Sequence, residues 1–311
     1  MSAMERKIWT WKLGGRELEL GRRTLVMGIV NATPDSFSDG GRYFSPEAAV
    51  EHALRLLDEG ADLIDLGGES TRPGAQAGSA DAVVSAAEEQ ARVLPVIVAI
   101  LRERPATLIS VDTYKAATAR AAVEAGARIV NDVSGLAWDR QMAAVCAEAG
   151  CGLVLMHTRG RPEEWRGLER LSSDAMVQMV RQGLNASLQQ AEAAGIALDS
   201  IVLDPGYGFG KNFEENFLLL ARQQELLELG RPLLVGLSRK SFLGRVLAPL
   251  YAGQDAPAGR RDPASAAAAV AAVLHGAAIV RTHEVRATAE AVRVADAVAE
   301  MGARIGTDLS S

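Results

Sequence analysis

From Leu25 onward the chain alternates between two textures. Short runs of Leu, Ile and Val are followed by longer stretches rich in Ala, Glu and Arg. The apolar runs occupy 24–30, 63–66, 108–112, 128–132, 152–157, 200–204, 233–237 and 278–283. Short, unbroken apolar runs of this kind suit strands buried on both faces, as in a parallel sheet. The stretches 46–60, 82–103, 115–126, 139–149, 173–195, 213–229, 264–276 and 285–302 read as helices. Ser45 ahead of Pro46, and Asp262 ahead of Pro263, are helix-start signals. Gly60, Gly126, Gly150, Gly195, Gly230 and Gly276 stand shortly before the next strand, where a left-handed residue ends a helix.

Strand–helix alternation demands parallel strands with crossover helices. Eight such units predict an α/β fold, a single (β/α)₈ TIM barrel over residues 25–304. An open doubly wound sheet is the alternative, because alternation does not by itself prove closure. Residues 1–24 precede the alternation. Gly14-Gly15 there, between alternating residues, predicts an N-terminal hairpin that closes the barrel floor. Residues 305–311 read as a loose tail.

Composition narrows the function. Hydrophobic residues make up 48% of the 311 and charged residues 23%, so disorder is excluded for most of the chain. Lys and Arg number 33 against 39 Asp and Glu, a net charge of −6. With no basic excess, a general nucleic-acid binder is excluded as a class. The most apolar stretch, 266–280, is broken by His275 and Gly276 and is too short to span a bilayer. The N-terminus has no apolar run of the secretory kind. Two cysteines, Cys146 and Cys151, make no disulfide framework and read as buried thiols. A reduced, cytoplasmic setting is the expectation.

Buried parallel strands should stay apolar until they emerge, yet nearly every run here ends in a polar residue. Asn31, Asp65, Asp112, Asn131 with Asp132, His157, Asp204, Ser238 with Arg239 and Lys240, and Arg281 with His283 occupy these positions. In a barrel they converge on the rim where ligands bind. Only five of the 33 basic residues are lysine. Lys240, between glycines in GLSRKSFLG, is the site candidate; Lys115 reads as a helix start and Lys211 as a solvated loop residue.

The loop 31–44 (NATPDSFSDGGRYF) has turn residues around a bare Phe37, as in a lid over a barrel mouth. The loop GGESTRPGA (67–75) offers Thr71 and Arg72, a hydroxyl and a forked cation suited to a phosphate or carboxylate. DPGYGFGK (204–211) is neither a Walker loop nor a GxGxxG; its glycines either cradle a ligand or permit turns. Arg281 and His283 follow the eighth strand, a frequent phosphate site in barrels. Asn31 on the adjoining first strand completes an anion site or holds a Mg²⁺ that bridges a diphosphate. Asp112 and Asp204, with Asn131 between them, suit a flat 2-amino-4-oxo heterocycle that presents adjacent N–H donors. Lys240 suits a ring nitrogen or carbonyl, and Arg281 a ring face.

At these residues the chain resembles the dihydropteroate synthase family of folate biosynthesis. The likeness runs through VMGIVNATPDSFSDGG, ADLIDLGGESTRPGA, ISVDTYK, IVNDVSG, LVLMH, LDPGYGFGK, LLVGLSRKSFLG and IVRTHEV, over about residues 24–285. It implies a transferase on a (β/α)₈ barrel, a sulfonamide target, homodimeric and requiring Mg²⁺. The implied reaction joins p-aminobenzoate to 6-hydroxymethyl-7,8-dihydropterin diphosphate and releases pyrophosphate through a cation-like transition state. Asp112, Asn131, Asp204, Lys240 and Arg281 are similar to the pterin ligands. Asn31, Thr71, Arg281 and His283 are similar to the diphosphate site, with Asn31 as the protein's Mg²⁺ ligand. Phe37, Pro73, Lys240 and Ser241 are similar to the p-aminobenzoate pocket. Asp39, Thr71, Arg72 and Lys240 are the implied catalytic residues, with Asp39 steadying the developing cation, and Asp65 is a supporting carboxylate. MHTRG (156–160) departs from the family, which has Met-Gln after the His. A methyl-transfer barrel shares such a pterin pocket but has no use for the SRKS segment or for Asn31, Arg281 and His283. A non-catalytic pterin-binding relative is the third reading, and the filled key positions speak against it.

Overall fold

A computed structural model describes residues 6–33, 45–69 and 84–308. The lead segment forms the hairpin, β1 (Trp9–Lys12) paired antiparallel with β2 (Glu17–Leu20). The eight apolar runs become eight parallel strands. They are β3 (Leu25–Asn31), β4 (Leu63–Gly67), β5 (Leu108–Asp112), β6 (Ile129–Asp132), β7 (Gly152–Met156), β8 (Ile201–Asp204), β9 (Leu233–Val235) and β10 (Ala277–Thr282). Each pairs with its chain neighbour, and β10 returns to pair with β3, Ile279 opposite Leu25. The ring is closed, which rules out the open sheet.

The helices are α1 (Pro46–Asp58), α2 (Ala86–Glu103), α3 (Ala116–Glu124), α4 (Met142–Ala149), α5 (Ser173–Ala193), α6 (Phe213–Ala221), α7 (Ser241–Val246), α8 (Asp262–Leu274) and α9 (Val285–Asp308). Ser45 caps α1 as expected, its hydroxyl accepting from Ala48 N at 3.3 Å. Four boundaries differ from the sequence expectation. α2 starts at Ala86 because Ser85 and Glu88 form a reciprocal cap there. The stretch 213–229 breaks at Arg222 into α6 and a 3₁₀ turn, Gln223–Leu229, which turns the Gln223 amide inward onto the carbonyls of Ala272 and His275. Asp262 is inside α8 rather than its cap, since its carboxylate is taken by Arg239. α9 runs on to Asp308, so residues 305–308 of the expected tail are helix; Gly302 and Gly306 lower helix propensity without ending it. The six-residue α7 was not expected from the sequence.

The core has two shells. Outward strand faces meet the helices in one large cluster. Inside the ring, Leu25, Met27, Leu63, Ile129, Val154 and Val202 pack on Trp11, Leu13 and Leu20 of the hairpin. Trp11 is buried and its indole donates to the Ser200 carbonyl at 2.8 Å. A Cβ at Gly152 would lie 2.3 Å from Leu13 Cδ2, so the hairpin sits on backbone. The lower end of the barrel is therefore apolar, which leaves the polar residues to the upper end. Trp11→Ala is expected to cost about 3–5 kcal/mol, from the cavity and the orphaned carbonyl together, read as a lowered midpoint in urea.

Candidate active site

Side chains on a strand alternate between faces, so only every second residue points into a barrel. Asn31 and Ile29 share the inward face of β3, and the other strands repeat the pattern. The result is a cavity of about 420 Å³ at the carboxyl ends of the strands. Asn31, Asp112, Asn131, Asp204, Lys240, Ser241, Arg281 and His283 all line it. Asp65, 0% exposed, lies within hydrogen-bonding reach of Arg281 and Asn131 without lining the cavity, as expected of a supporting carboxylate. Phe37, Asp39, Thr71, Arg72 and Pro73 lie outside the described residues.

One guanidinium organises the polar floor. Arg281 Nε donates to Asp65 Oδ2 at 2.5 Å, and Arg281 NH2 donates to Asp112 Oδ2 at 2.7 Å. Asn131 Nδ2 donates to the same Asp65 oxygen at 3.1 Å. Among the described residues, Oδ1 of both Asp65 and Asp112 is buried without a hydrogen-bond partner. Buried acceptors left open in this way are costly unless a ligand brings donors to them. Burial, with Asp65 adding to it and Arg281 opposing, raises the Asp112 carboxyl to about 7. Burial also raises Asp204, against the hydrogen bond that its Oδ1 accepts from Gly206 N at 2.7 Å. Burial, helped by Arg281, lowers the Lys240 ammonium to about 8. The site thus pairs carboxylates of raised and an amine of lowered proton affinity, a common mark of ligand-handling positions.

The sequence pattern described as pterin binding enzyme matches residues 27–283, which carry all eight barrel strands apart from the first two residues of β3. The chain belongs to the pterin-binding enzymes. A dihydropteroate synthase of Mycobacterium leprae is 45% identical over 280 residues, which span 90% of this chain and 95% of that protein. The solved Yersinia pestis dihydropteroate synthase with a sulfonamide drug superposes with a TM-score of 0.83 at 40% identity, covering 94% of this chain and 99% of that one. The Xanthomonas albilineans enzyme with 4-aminobenzoic acid gives 0.82 at 41%, covering 94% and 98%.

In this pterin-binding enzyme the turn after β8 is built rather than loose. Gly206 has φ +69°, and a Cβ there would lie 1.9 Å from the His157 carbonyl oxygen. Gly208 N donates to Asn216 Oδ1 at 2.7 Å, and Tyr207 OH donates to Gln223 at 2.9 Å. The glycines permit the turn; Phe209 closes the cavity, with Lys240 Nζ 4.2 Å from its ring centre. Gly206→Ala is expected to displace the turn and cost more than about 2 kcal/mol, accompanied by loss of pterin binding; calorimetry and urea unfolding read both.

Not every polar strand end reaches the mouth. Asp132 turns away and accepts from the amides of Ser134 and Leu136. His157 is buried near Gly183 of α5. Ser238 and Arg239 do line the cavity. Arg239, at φ +58°, is fastened to Asp262 by bonds of 2.7 and 2.9 Å, so of the SRK triplet Lys240 is the cation left to the ligand. Ser238 Oγ lies 3.0 Å from His283 Nδ1. Lys115 does start α3, but its ammonium is buried on Glu69 and Glu89. Lys211 is buried, contrary to its reading as a solvated residue. The apolar walls, Ile29, Val133, Met156 and Phe209, were missed. Three of them carry a signal, since each stands two residues from a polar strand-end position or on the inward phase of its strand.

Proposed function

We propose that this pterin-binding enzyme is a dihydropteroate synthase. It joins p-aminobenzoate to 6-hydroxymethyl-7,8-dihydropterin diphosphate and releases pyrophosphate. The observation that carries the reading is the pairing of buried carboxylates with an anion-ready corner in one cavity: Asp112, whose Oδ1 is open among the described residues, and Asp204, beside Asn31, Arg281 and His283. The relatives' names support it.

Asp112, Asp204 and Asn131 take the N–H donors of the heterocycle, and Lys240 meets its oxygen or ring nitrogen. His283, Arg281 and the backbone N–H groups around them bind the diphosphate, whose charge grows as the carbon–oxygen bond breaks. The electron-rich ring delocalises the positive charge left on the carbon. The arylamine nitrogen then forms the C–N bond and gives up one proton to solvent. Among the described residues no three His, Cys, Asp or Glu side chains form a metal cage. Asn31 offers one amide oxygen, a donor set that fits Mg²⁺ held mainly by water and substrate phosphates. Bound there, Mg²⁺ would neutralise charge on the leaving diphosphate. The roles of Phe37, Asp39, Thr71, Arg72, Pro73 and Ser241 in arylamine binding and catalysis belong to the same proposal, as do the homodimer and the cytoplasmic setting. No helix among the described residues is long and apolar enough to cross a membrane.

The test is pyrophosphate release that requires both substrates and Mg²⁺; no release with all three present overturns the reading. A pH dependence follows from Asp112. Its ionised form accepts from the heterocycle at both oxygens and more strongly than the carboxylic acid does, so below about pH 7 proton and pterin compete. Pterin affinity is expected to fall as pH drops from 7 to 5, approaching about tenfold per unit. Calorimetry across that range checks it, and Asp112→Asn should flatten the slope at a weaker affinity.

A further inference from the structure

Lys211 takes no part in the chemistry above, yet its setting is unusual. Its side chain is buried, and its Nζ donates to the carbonyl oxygens of Gly206 at 2.8 Å, Phe209 at 3.2 Å and His157 at 3.3 Å. His157 Nδ1 lies 3.0 Å away. Burial, with the Lys211 charge adding to it, drives the His157 imidazole well below its ordinary value, so the neutral ring accepts. Among the described residues no carboxylate is within ion-pair distance of this ammonium.

Two of the three carbonyls belong to the turn after Asp204. The third belongs to His157, whose own amide donates to the Asp204 carbonyl at 2.9 Å. One ammonium therefore ties the ends of β7 and β8 to the turn that carries Phe209. A buried cation held only by neutral acceptors is costly, and a neutral glutamine would satisfy two carbonyls without that cost. What the charge adds is attraction to Asp204, whose ionised form it favours in return.

We propose that Lys211 is the positioning residue of the pterin-facing wall, fixing the Asp204–Phe209 turn so that Phe209 supports the Lys240 ammonium and Asp204 faces the cavity. The inference rests on the cavity being the pterin site. Lys211 touches neither substrate; it acts through Phe209, which stands edge-on to Trp165 with ring centres 5.5 Å apart.

The experiment is a double-mutant cycle of Lys211→Met and Phe209→Ala, with affinity for 6-hydroxymethylpterin read by calorimetry and the turn read by Trp165 fluorescence. Lys211→Met is expected to weaken pterin binding about 30-fold and to shift the Trp165 emission. The double variant is expected to bind within about threefold of Phe209→Ala alone, because both changes act through one wall. A folded Lys211→Met protein with wild-type affinity overturns the proposal. So does a double variant in which the two losses multiply, since a structural stitch unconnected to the wall would give that. Should Lys211→Met not fold, Lys211→Gln, which still serves two of the three carbonyls, enters the same cycle with a smaller expected loss of about fivefold, again absent on the Phe209→Ala background; no loss, or losses that multiply, overturns the proposal. Failure of the pterin reading is distinct: the wild-type protein would then not bind the probe.

Discussion

Arg281→Ala is expected to lose both activity and stability. The guanidinium is bonded to Asp65 at 2.5 Å and to Asp112 at 2.7 Å, and Asp65 is fully buried. Its removal leaves two neighbouring buried carboxyls without a cation. Breaking one side of a buried pair costs about 3–5 kcal/mol. Pyrophosphate release should fall by about 10³, since the residue also stands where the leaving group gathers charge. Urea unfolding and the pyrophosphate assay measure the two losses separately. The double variant Arg281→Met, Asp65→Asn should recover much of the stability and none of the activity. If it recovers neither, the charge argument is wrong; if Arg281→Ala retains turnover, the diphosphate assignment is wrong.

Lys240→Met is expected to do the opposite to stability. Pyrophosphate release per pterin bound should drop by about 10²–10³, because the ammonium that meets the ring is gone. The protein itself should gain. Burial lowers this lysine to about 8, so in the folded state it binds its proton less readily than in the unfolded chain. The sign follows from linkage: the folded state bears the cost below pH 8 and is relieved of it as pH rises through 8 toward the unfolded value. Methionine removes the charge at all pH values, so stability at pH 7 should rise by about 1–3 kcal/mol. The wild-type midpoint in urea should also climb between pH 8 and 10 by more than that of Lys240→Met. An unchanged or lowered midpoint at pH 7 would show that the ammonium is already well compensated in the free protein.

Much of the site was legible because buried parallel strands have no other use for polar tips. Asn31, Asp112, Asn131, Asp204, Lys240, Arg281 and His283 do gather in one cavity. Two tips were misread for a reason the chain itself contains. Asn131 and Asp132 are adjacent, as are Met156 and His157, and a strand turns one of each pair outward. Asn131 and Met156 face the cavity, while Asp132 and His157 serve neighbouring loops and helices. The burial of Lys211 and Lys115 was not legible, since it depends on His157 for the one and on Glu69 and Glu89 for the other, all brought from distant positions. The break at Arg222 depends likewise on where α8 offers acceptors to Gln223.

The hairpin beneath the barrel bears on traffic as well as on folding. Trp11, Leu13 and Leu20 cork the lower end, so among the described residues the barrel interior opens only at its upper rim. Solvent that a ligand evicts from there leaves on the side from which the ligand arrived.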